Sequence, residues 1–133
     1  MNLNDHVGFN LRKAYQRHVS IFSRNIVGLT PTQFAALTRI DEEGEISQNR
    51  LGRETAMDSA TIKGVVERLH AKGLVHFQPA EHDQRLRMVS LTPAGQTTLS
   101  YASEQAKTAR QETLAPLTPE ETRQFERLLS KLV

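Results

Sequence analysis

Apolar residues recur at helical spacing along most of the chain, and one stretch near its middle is β-like instead. The spacing predicts helices over about 5–26, 31–42, 47–55, 58–72, 93–113 and 119–132. Residues 74–77 and 86–91 form two β-like runs, and the polar residues 79–85 between them predict a hairpin loop. The predicted order is therefore four helices, a hairpin and two helices.

Three Thr-Pro pairs mark helix starts: Thr30-Pro31, Thr92-Pro93 and Thr118-Pro119. Threonine is a good N-cap, and proline suits the first helical position because its missing N–H would have no partner there. Gln33 and Glu121 follow the first and third of these threonines at the spacing of a capping box. These signals locate the starts of the second, fifth and sixth helices.

The middle of this order, a short helix, a turn, a longer helix and a hairpin, is the layout of a winged helix-turn-helix. We therefore predict a mainly α fold, an α+β winged helix formed by residues 28–92 within one 133-residue domain. The flanking segments, 1–27 and 93–133, are too apolar to be tails. We predict that they form a layer of dimerisation helices.

Composition narrows the class of protein. Hydrophobic residues make up 38% of the chain, and no apolar run approaches the roughly 18 residues that a membrane span needs. The first ten residues lack the apolar centre of a secretion signal, so we expect a cytoplasmic protein without a membrane partner. The absence of cysteine excludes disulfides and thiolate chemistry. A net charge of +2 is compatible with nucleic acid without requiring it.

No motif indicates an enzyme, because the chain has no nucleophile elbow, phosphate-binding loop or dinucleotide fingerprint. His70, His76 and His82 are six residues apart, a spacing that suits neither one helix face nor a common zinc motif. We therefore expect no metal and no cofactor. A protein-interaction module is the alternative, and the joint presence of Lys63 and Arg85 favours DNA over it.

The helix predicted over 58–72 has one apolar stripe, which should dock on the core, and one polar face. The stripe consists of Ile62, Val65, Val66 and Leu69, and the polar side carries Ser59, Thr61, Lys63, Gly64 and Glu67, with Arg68 at its edge. Small hydroxyl residues and a glycine let a helix enter the major groove closely, and its N-terminal amides attract phosphate. A solvated amphipathic helix is the alternative, but a central glycine costs roughly 1 kcal/mol relative to alanine, which implies a close approach there.

Two further segments carry candidate DNA contacts. Ser47, Gln48 and Asn49 open the preceding helix, where they suit phosphate contacts or form a simple polar cap. Arg85 near the hairpin tip could enter a narrow minor groove, and Asp83 could hold its guanidinium in a bidentate pair. The alternative is an ordinary surface ion pair, which is worth little.

Resemblance to a known family is carried by LTPTQFAAL at 29–37, VERLHAKGLV at 66–75 and DQRLRMVSLTPAG at 83–95, and the terminal helices extend it over nearly the whole chain. The resemblance is to the MarR (multiple antibiotic resistance regulator) family of bacterial transcription factors. It implies a single MarR-type domain over 1–133 and a homodimer joined through its terminal helices. It also implies repression at a palindromic double-stranded DNA operator, with a helix in each major groove and a wing arginine in the minor groove.

Carried over by position, the resemblance implies a DNA-facing set of ten residues, which are Ser47, Gln48, Asn49, Ser59, Thr61, Lys63, Gly64, Arg68, Arg85 and Arg87.

Many members of the family release DNA when a small aromatic acid binds between the dimer layer and the winged domain. The resemblance implies an effector set of Phe9, Arg12, Tyr15, His18 and Arg39, in which Arg39 would neutralise a carboxylate. His18 shares a stripe with Val7, Leu11, Ala14 and Phe22, so we expect it to be largely buried, as a core residue or a ligand's hydrogen-bond partner. GFNLRKAYQRH at 8–18 also resembles a subgroup that controls degradation of nicotinate-type acids.

Overall fold

Six helices and three short strands form the fold, and a computed structural model describes all 133 residues. A 3-10 turn at Leu3–Asp5 precedes the first helix. In chain order the elements are α1 (Val7–Asn25), α2 (Pro31–Glu43), β1 (Glu45–Ser47), α3 (Gln48–Glu54), α4 (Ser59–Ala71), β2 (Val75–Ala80), β3 (Asp83–Leu91), α5 (Pro93–Leu114) and α6 (Pro119–Ser130). This is a winged helix-turn-helix, as predicted, in which α3 and α4 are the paired helices and β2 and β3 the wing.

Side-chain caps set the starts of three helices where the Thr-Pro pairs predicted them. Thr30 Oγ1 accepts from the Gln33 amide at 3.2 Å, and Gln33 Oε1 accepts from the Thr30 amide at 3.2 Å. Thr118 and Glu121 make the same reciprocal pair, at 3.1 and 2.9 Å. Thr92 Oγ1 accepts from the Gly95 amide at 2.9 Å. Each cap satisfies backbone donors that a helix start leaves without a partner, so local sequence determines these boundaries.

Residues 28–104 form one of two compact units, and both the helices and the strands of the winged helix contribute side chains to the core of this unit. The apolar stripe predicted for the fourth helix is buried, since all four of its side chains on α4 are at most 3% exposed. Leu37 and Ile40 of α2 and Leu51 of α3 are fully buried in the same unit. The period of the apolar residues therefore predicted correctly which side of α4 faces inward.

The strand β1 was missed by the sequence analysis. It is only three residues long and pairs antiparallel with β3, so that the strand order is β1-β3-β2. Ile46 lies opposite Val89 in this pairing, and both side chains are buried. No pattern in the sequence indicates β1, because a single apolar residue between two polar ones shows no period and the partner strand lies far along the chain.

The predicted hairpin loop over 79–85 is wrong. β2 and β3 extend into it until Ala80 lies opposite Asp83, which leaves Glu81 and His82 as the turn. The register shifts between Pro79 and Ala80, where an edge strand tolerates a proline that cannot donate a hydrogen bond. Arg85 therefore lies on β3 and not in a loop. Polar side chains had suggested a loop, but backbone pairing at an exposed hairpin does not require apolar residues.

Residues 1–27 and 105–133 form the second unit, in which α1 is tied to the end of α5. Arg17 donates to the carbonyl oxygens of Thr113 at 2.8 Å and Glu112 at 3.1 Å, as a cation does favourably at a helix C-terminus. Arg24 pairs with the Glu112 carboxylate at 3.2 Å. Even the longest helix, α5 with 22 residues, is not apolar enough to cross a membrane, and none of the others is.

The junction between the wing and α5 is a direct backbone contact at Gly95. The Thr92 amide donates to the Leu74 carbonyl at 3.0 Å, and Thr92 Oγ1 donates to the Gly73 carbonyl at 2.6 Å. A Cβ added to Gly95 would lie 2.0 Å from the Leu74 carbonyl oxygen, which is backbone and cannot swing aside. Any side chain at this position would push α5 away from the start of β2.

We expect Gly95→Ala to destabilise the protein by at least about 1–3 kcal/mol, the usual cost of overpacking. Urea unfolding followed by circular dichroism measures this change. Gly8→Ala is the matched control, because a Cβ at Gly8 in α1 meets nothing within 4 Å. It should be neutral or slightly stabilising. Equal stability of the two variants would contradict the backbone contact.

Candidate nucleic-acid interface

The outward face of α4 carries the first group of candidate contacts. Because the opposite face is buried, Ser59, Thr61 and Lys63 are exposed. The helix is capped by Asp58, whose Oδ1 accepts from the Thr61 amide at 2.7 Å. This backbone hydrogen bond is the main reason that the pKa of Asp58 is lowered. The capping carboxylate already occupies the position where the free amides were expected to attract a phosphate.

Gly64 has an explanation within the helix. A Cβ at this position would lie 3.2 Å from the Nη1 atom of Arg68, so the guanidinium four residues later lies over the glycine. The sequence predicted a close approach to this glycine by another group, and in the structure that group is the Arg68 side chain of the same helix.

The start of α3 presents the second group, with one exception. Ser47 caps the helix by accepting from the Arg50 amide at 3.2 Å, and Asn49 is exposed. Gln48 is only half-exposed, and its Oε1 is buried without a hydrogen-bond partner in the protein. Two of the three predicted side chains therefore present polar atoms to the surface, while the Gln48 carbonyl points inward.

Arg53 is a candidate that the sequence analysis missed. It is exposed on α3 four residues after Asn49, and the two line one cavity of about 440 Å³ together with Ser59 at the start of α4. Its spacing from Asn49 is that of neighbours on one helix face, which is the signal that could have identified it.

The turn between α3 and α4 brings the two helices into direct contact. A Cβ on Gly52 would lie 2.9 Å from Cγ2 of Ile62, so the small residue allows the helices to approach each other. Ala56 in the turn has a φ of 57°, a left-handed conformation that is uncommon outside glycine. The packing of Gly52 on Ile62 thus sets the position of α4 relative to α3.

The wing carries two of the candidate cations, Arg85 and Arg87. The side chain of Arg85 is 90% exposed. Its Nε donates to Asp83 Oδ1 at 3.0 Å and its Nη2 to Oδ2 at 3.2 Å, which is the predicted bidentate pair. The Arg85 amide also donates to Oδ1 at 3.0 Å. The guanidinium and this amide together lower the pKa of Asp83.

Arg87 behaves differently, although it lies only two residues further along β3. Its guanidinium carbon is 3.4 Å from the centre of the Phe77 ring, and its Nη1 is 3.8 Å from Glu67 Oε1 on α4. Its side chain is 37% exposed. Arg87 was predicted to face DNA, but in the structure it lies against its own protein.

The effector candidates on α1 form a partly exposed row. Tyr15 and Arg12 are exposed, and Phe9 is half-buried beneath Lys13, whose Nζ is 4.6 Å from the ring centre. His18 was expected to be largely buried, but it is only half-buried, and its Nδ1 is 2.8 Å from Thr113 Oγ1. The expectation was wrong because most of the stripe that contains His18 is itself exposed in the chain.

Arg39, the fifth effector candidate, lies on α2. Its Nη1 is 3.6 Å from Glu54 Oε1 and its Nε is 4.0 Å from Glu42 Oε1. Arg39, which was expected to neutralise the carboxylate of an effector, thus lies within salt-bridge distance of two carboxylates of the protein itself.

Comparison with known proteins identifies close relatives. Residues 27–86 match the MarR family. The transcriptional repressor NicR of Pseudomonas putida is 44% identical over 96 residues, which cover 71% of this chain but only 61% of NicR. A probable transcriptional regulator from Pseudomonas aeruginosa has a solved structure that is 47% identical, with a TM-score of 0.96 and coverage of 99% of this chain and 100% of that one. BpsR of Bordetella bronchiseptica, solved to explain regulation of its DNA binding by 6-hydroxynicotinic acid, is 36% identical, with a TM-score of 0.94 and coverage of 99% and 96%.

The contact between Arg85 and Asp83 can be tested by the titration of Asp83. We expect the Asp83 carboxyl to titrate below the ordinary aspartate range, and Arg85→Gln to raise that pKa, because the guanidinium supplies the largest part of the lowering. A lowered pKa in the folded state means that the pair stabilises the wing at neutral pH and that this stabilisation is lost as the pH falls through the lowered pKa. Carbon-detected NMR titration of the carboxyl group measures both values.

The control for this titration is Arg87→Gln, which should leave the Asp83 pKa unchanged because Arg87 contacts Phe77 and Glu67 instead. An identical Asp83 pKa in the wild-type protein and Arg85→Gln would show that the bidentate pair does not form in solution.

Proposed function

Because the chain belongs to the MarR family of transcriptional regulators, we propose that it is a homodimeric, sequence-specific repressor that binds a palindromic double-stranded DNA operator. The observation that carries this proposal is the presence, in one compact unit, of an outward polar face on α4 and of a wing arginine whose side chain is 90% exposed. Such a regulator acts in the cytoplasm, and the proposal assigns it no enzymatic activity.

In this proposal α4 enters the major groove and the wing reaches the neighbouring minor groove. Thr61 and Lys63 are exposed where a recognition helix meets base edges, with Ser59 and Arg68 beside them. Arg85 has the exposure and the fixed aim that insertion into a narrow minor groove requires.

Phosphate contacts would come chiefly from the start of α3. Ser47 and Asn49 lie there with exposed or half-exposed polar groups, and Arg53 adds a cation on the same side. Gln48 takes part only if its amide turns outward, since its Oε1 is buried. Ser47, Asn49 and Arg53 would therefore position the protein on the DNA backbone, while α4 and the wing select the sequence.

The exposed apolar side chains of the terminal helices support the dimer. Large apolar residues rarely form a continuous exposed surface on a monomer, and a second copy would cover them. Six such residues lie on α1 and α6, and a seventh follows α6, each at least 36% exposed: Val7, Leu11, Tyr15, Phe125, Leu128, Leu129 and, after the helix, Leu132. A two-fold dimer would present two α4 helices to half-sites about one duplex turn, roughly 34 Å, apart.

A small aromatic carboxylate is the effector that we propose. NicR is a relative by sequence, and the DNA binding of BpsR is regulated by 6-hydroxynicotinic acid. On α1 the His18 ring lies 6.4 Å from each of the Tyr15 and Phe22 rings, and its Nδ1 is held by Thr113. Its second nitrogen is then oriented for a ligand. Phe9 offers a further aromatic surface and Arg12 a cation on the same helix.

Substitution of two exposed cations, Lys63 on α4 and Arg85 on the wing, tests the DNA interface. We expect Lys63→Ala to cost about 1–3 kcal/mol of operator affinity and to relax discrimination at one base, because a base contact is lost. Arg85→Ala should weaken operator binding at least as strongly while the protein stays folded and dimeric. Fluorescence anisotropy with a duplex selected from genomic fragments measures the affinity, and sedimentation measures the dimer.

Gln84→Ala is the matched control for this experiment, since Gln84 is an exposed, uncharged neighbour of Arg85 on β3. Wild-type affinity should also fall about 10³- to 10⁵-fold between roughly 50 and 200 mM salt if six to ten phosphates are contacted. A monomeric wild-type protein, or one that ignores every duplex at low salt, would refute the proposal.

The effector proposal is tested with 6-hydroxynicotinic acid as the probe. We expect it to weaken DNA binding by the wild-type protein, and His18→Ala to lose this response while it keeps its DNA affinity. Nicotinamide, which has no carboxylate, is the control compound. His6→Ala, at an exposed histidine just before α1, is the control variant. A full response in His18→Ala would exclude His18 from the site.

A further inference from the structure

A stack of three side chains joins α4 to the wing. The Phe77 ring of β2 lies 4.5 Å from the His70 ring of α4, with an angle of 23° between the planes. The Arg87 guanidinium of β3 lies 3.4 Å from the centre of the same Phe77 ring. The Phe77 ring therefore contacts both the helix α4 and the neighbouring strand β3.

We propose that Arg87 is a positioning residue, which holds the wing against α4 through Phe77 and does not itself contact DNA. This inference rests on the proposed function, because DNA affinity is one of its two readouts. The other readout needs no DNA.

The register of the sheet explains why Arg87 turns inward and Arg85 does not. Phe77 lies opposite Val89, and Arg87 opposite Pro79, so Arg87 projects from the same face of the sheet as the buried Val89. Phe77 and Arg87 are thus diagonal neighbours on this face, and the Arg87 guanidinium reaches the Phe77 ring. Arg85 lies within 84–86, where the register shift leaves no paired residue on β2, and its side chain pairs with Asp83.

The contact with Phe77 matters more than the ion pair with Glu67. The ion pair is long, at 3.8 Å, and both side chains are well exposed, at 37% and 51%. Such pairs contribute little because water screens them. The guanidinium carbon, in contrast, lies 3.4 Å from the ring centre, a distance at which a planar guanidinium can stack on the ring and an ammonium group cannot. A lysine at position 87 would therefore keep the charge and lose most of the contact.

The position of the stack gives it a functional consequence. It joins α4, which carries Lys63, to β3, which carries Arg85 two residues before Arg87. Without the stack, Arg85 and Asp83 still pair, but the wing that bears them is less restrained relative to α4. Ordering it on DNA then costs conformational entropy, which lowers affinity without removing a phosphate contact.

The salt dependence of operator binding separates the two roles of an arginine. We expect Arg87→Met to weaken binding by roughly 2- to 30-fold, the range of an aromatic–cation contact, at every salt concentration. The slope of log affinity against log salt should not change, because Arg87 neutralises no phosphate. Lys63→Met and Arg85→Met are the comparison variants, and a phosphate contact at either would reduce the slope by about 0.9.

Arg87→Lys is the decisive second variant. It should bind DNA as weakly as Arg87→Met, because the planar contact is lost although the charge remains. The double variant Arg87→Met/Phe77→Leu should be no weaker than the weaker of its single variants, as expected for two residues that form one contact. A reduced salt slope in Arg87→Met, or full rescue by lysine, would identify Arg87 as a DNA contact and overturn the inference.

Amide hydrogen exchange in the free protein tests the same inference without DNA. Exchange over 80–87 should accelerate in Arg87→Met and stay unchanged in Gln84→Ala. If the wild-type protein bound no duplex, the proposed function would fail, and this experiment would still show whether the stack holds the wing. Unchanged exchange in Arg87→Met would overturn the positioning role even if the protein binds its operator normally.

Discussion

Ile62, Val65, Val66 and Leu69 project from one side of α4 into the core of residues 28–104, where each is almost completely shielded from water. Their burial decides the rotation of α4 about its axis, because turning the helix would expose this apolar stripe. Everything on the outer face follows from that rotation. Ser59, Thr61 and Lys63 are displayed together because the stripe beneath them is buried, and Gly52 allows α3 to approach closely enough to place Asn49 and Arg53 beside them.

Carboxylates of the protein decide which of its many cations remain available. Asp83 holds Arg85 in a fixed direction, Glu67 lies near Arg87, and Glu54 lies within salt-bridge distance of both Arg39 and Arg50. With a net charge of only +2, affinity for a polyanion depends on this local distribution and not on total charge. The wing shows the distinction most clearly, since Arg85 is aimed outward by an acid while Arg87 is drawn inward by an aromatic ring.

The unit formed by 1–27 and 105–133 has the opposite character, with exposed apolar side chains and a framework of polar contacts. Arg17 and Arg24 fasten α1 to the end of α5, so that the two helices keep their alignment although little of their surface is buried in one chain. A surface of this kind is stable in water when a partner covers it. The proposed regulatory function therefore depends on the proposed dimer, because two recognition helices at a fixed spacing require a joined pair of chains.

The amino-acid sequence by itself determined the elements whose causes are local. Thr30, Thr92 and Thr118 cap helices because a threonine and the residues just after it suffice, and the buried side of α4 follows from its apolar period alone. Tertiary structure decided what depends on residues distant in the chain. β1 forms because β3 pairs with it, and the two wing strands are longer than their apolar segments because backbone pairing continues beyond those segments. Arg87, which was predicted to contact DNA, lies 3.4 Å from the Phe77 ring of the neighbouring strand, and the spacing of residues along one strand does not show how close a side chain of the next strand lies.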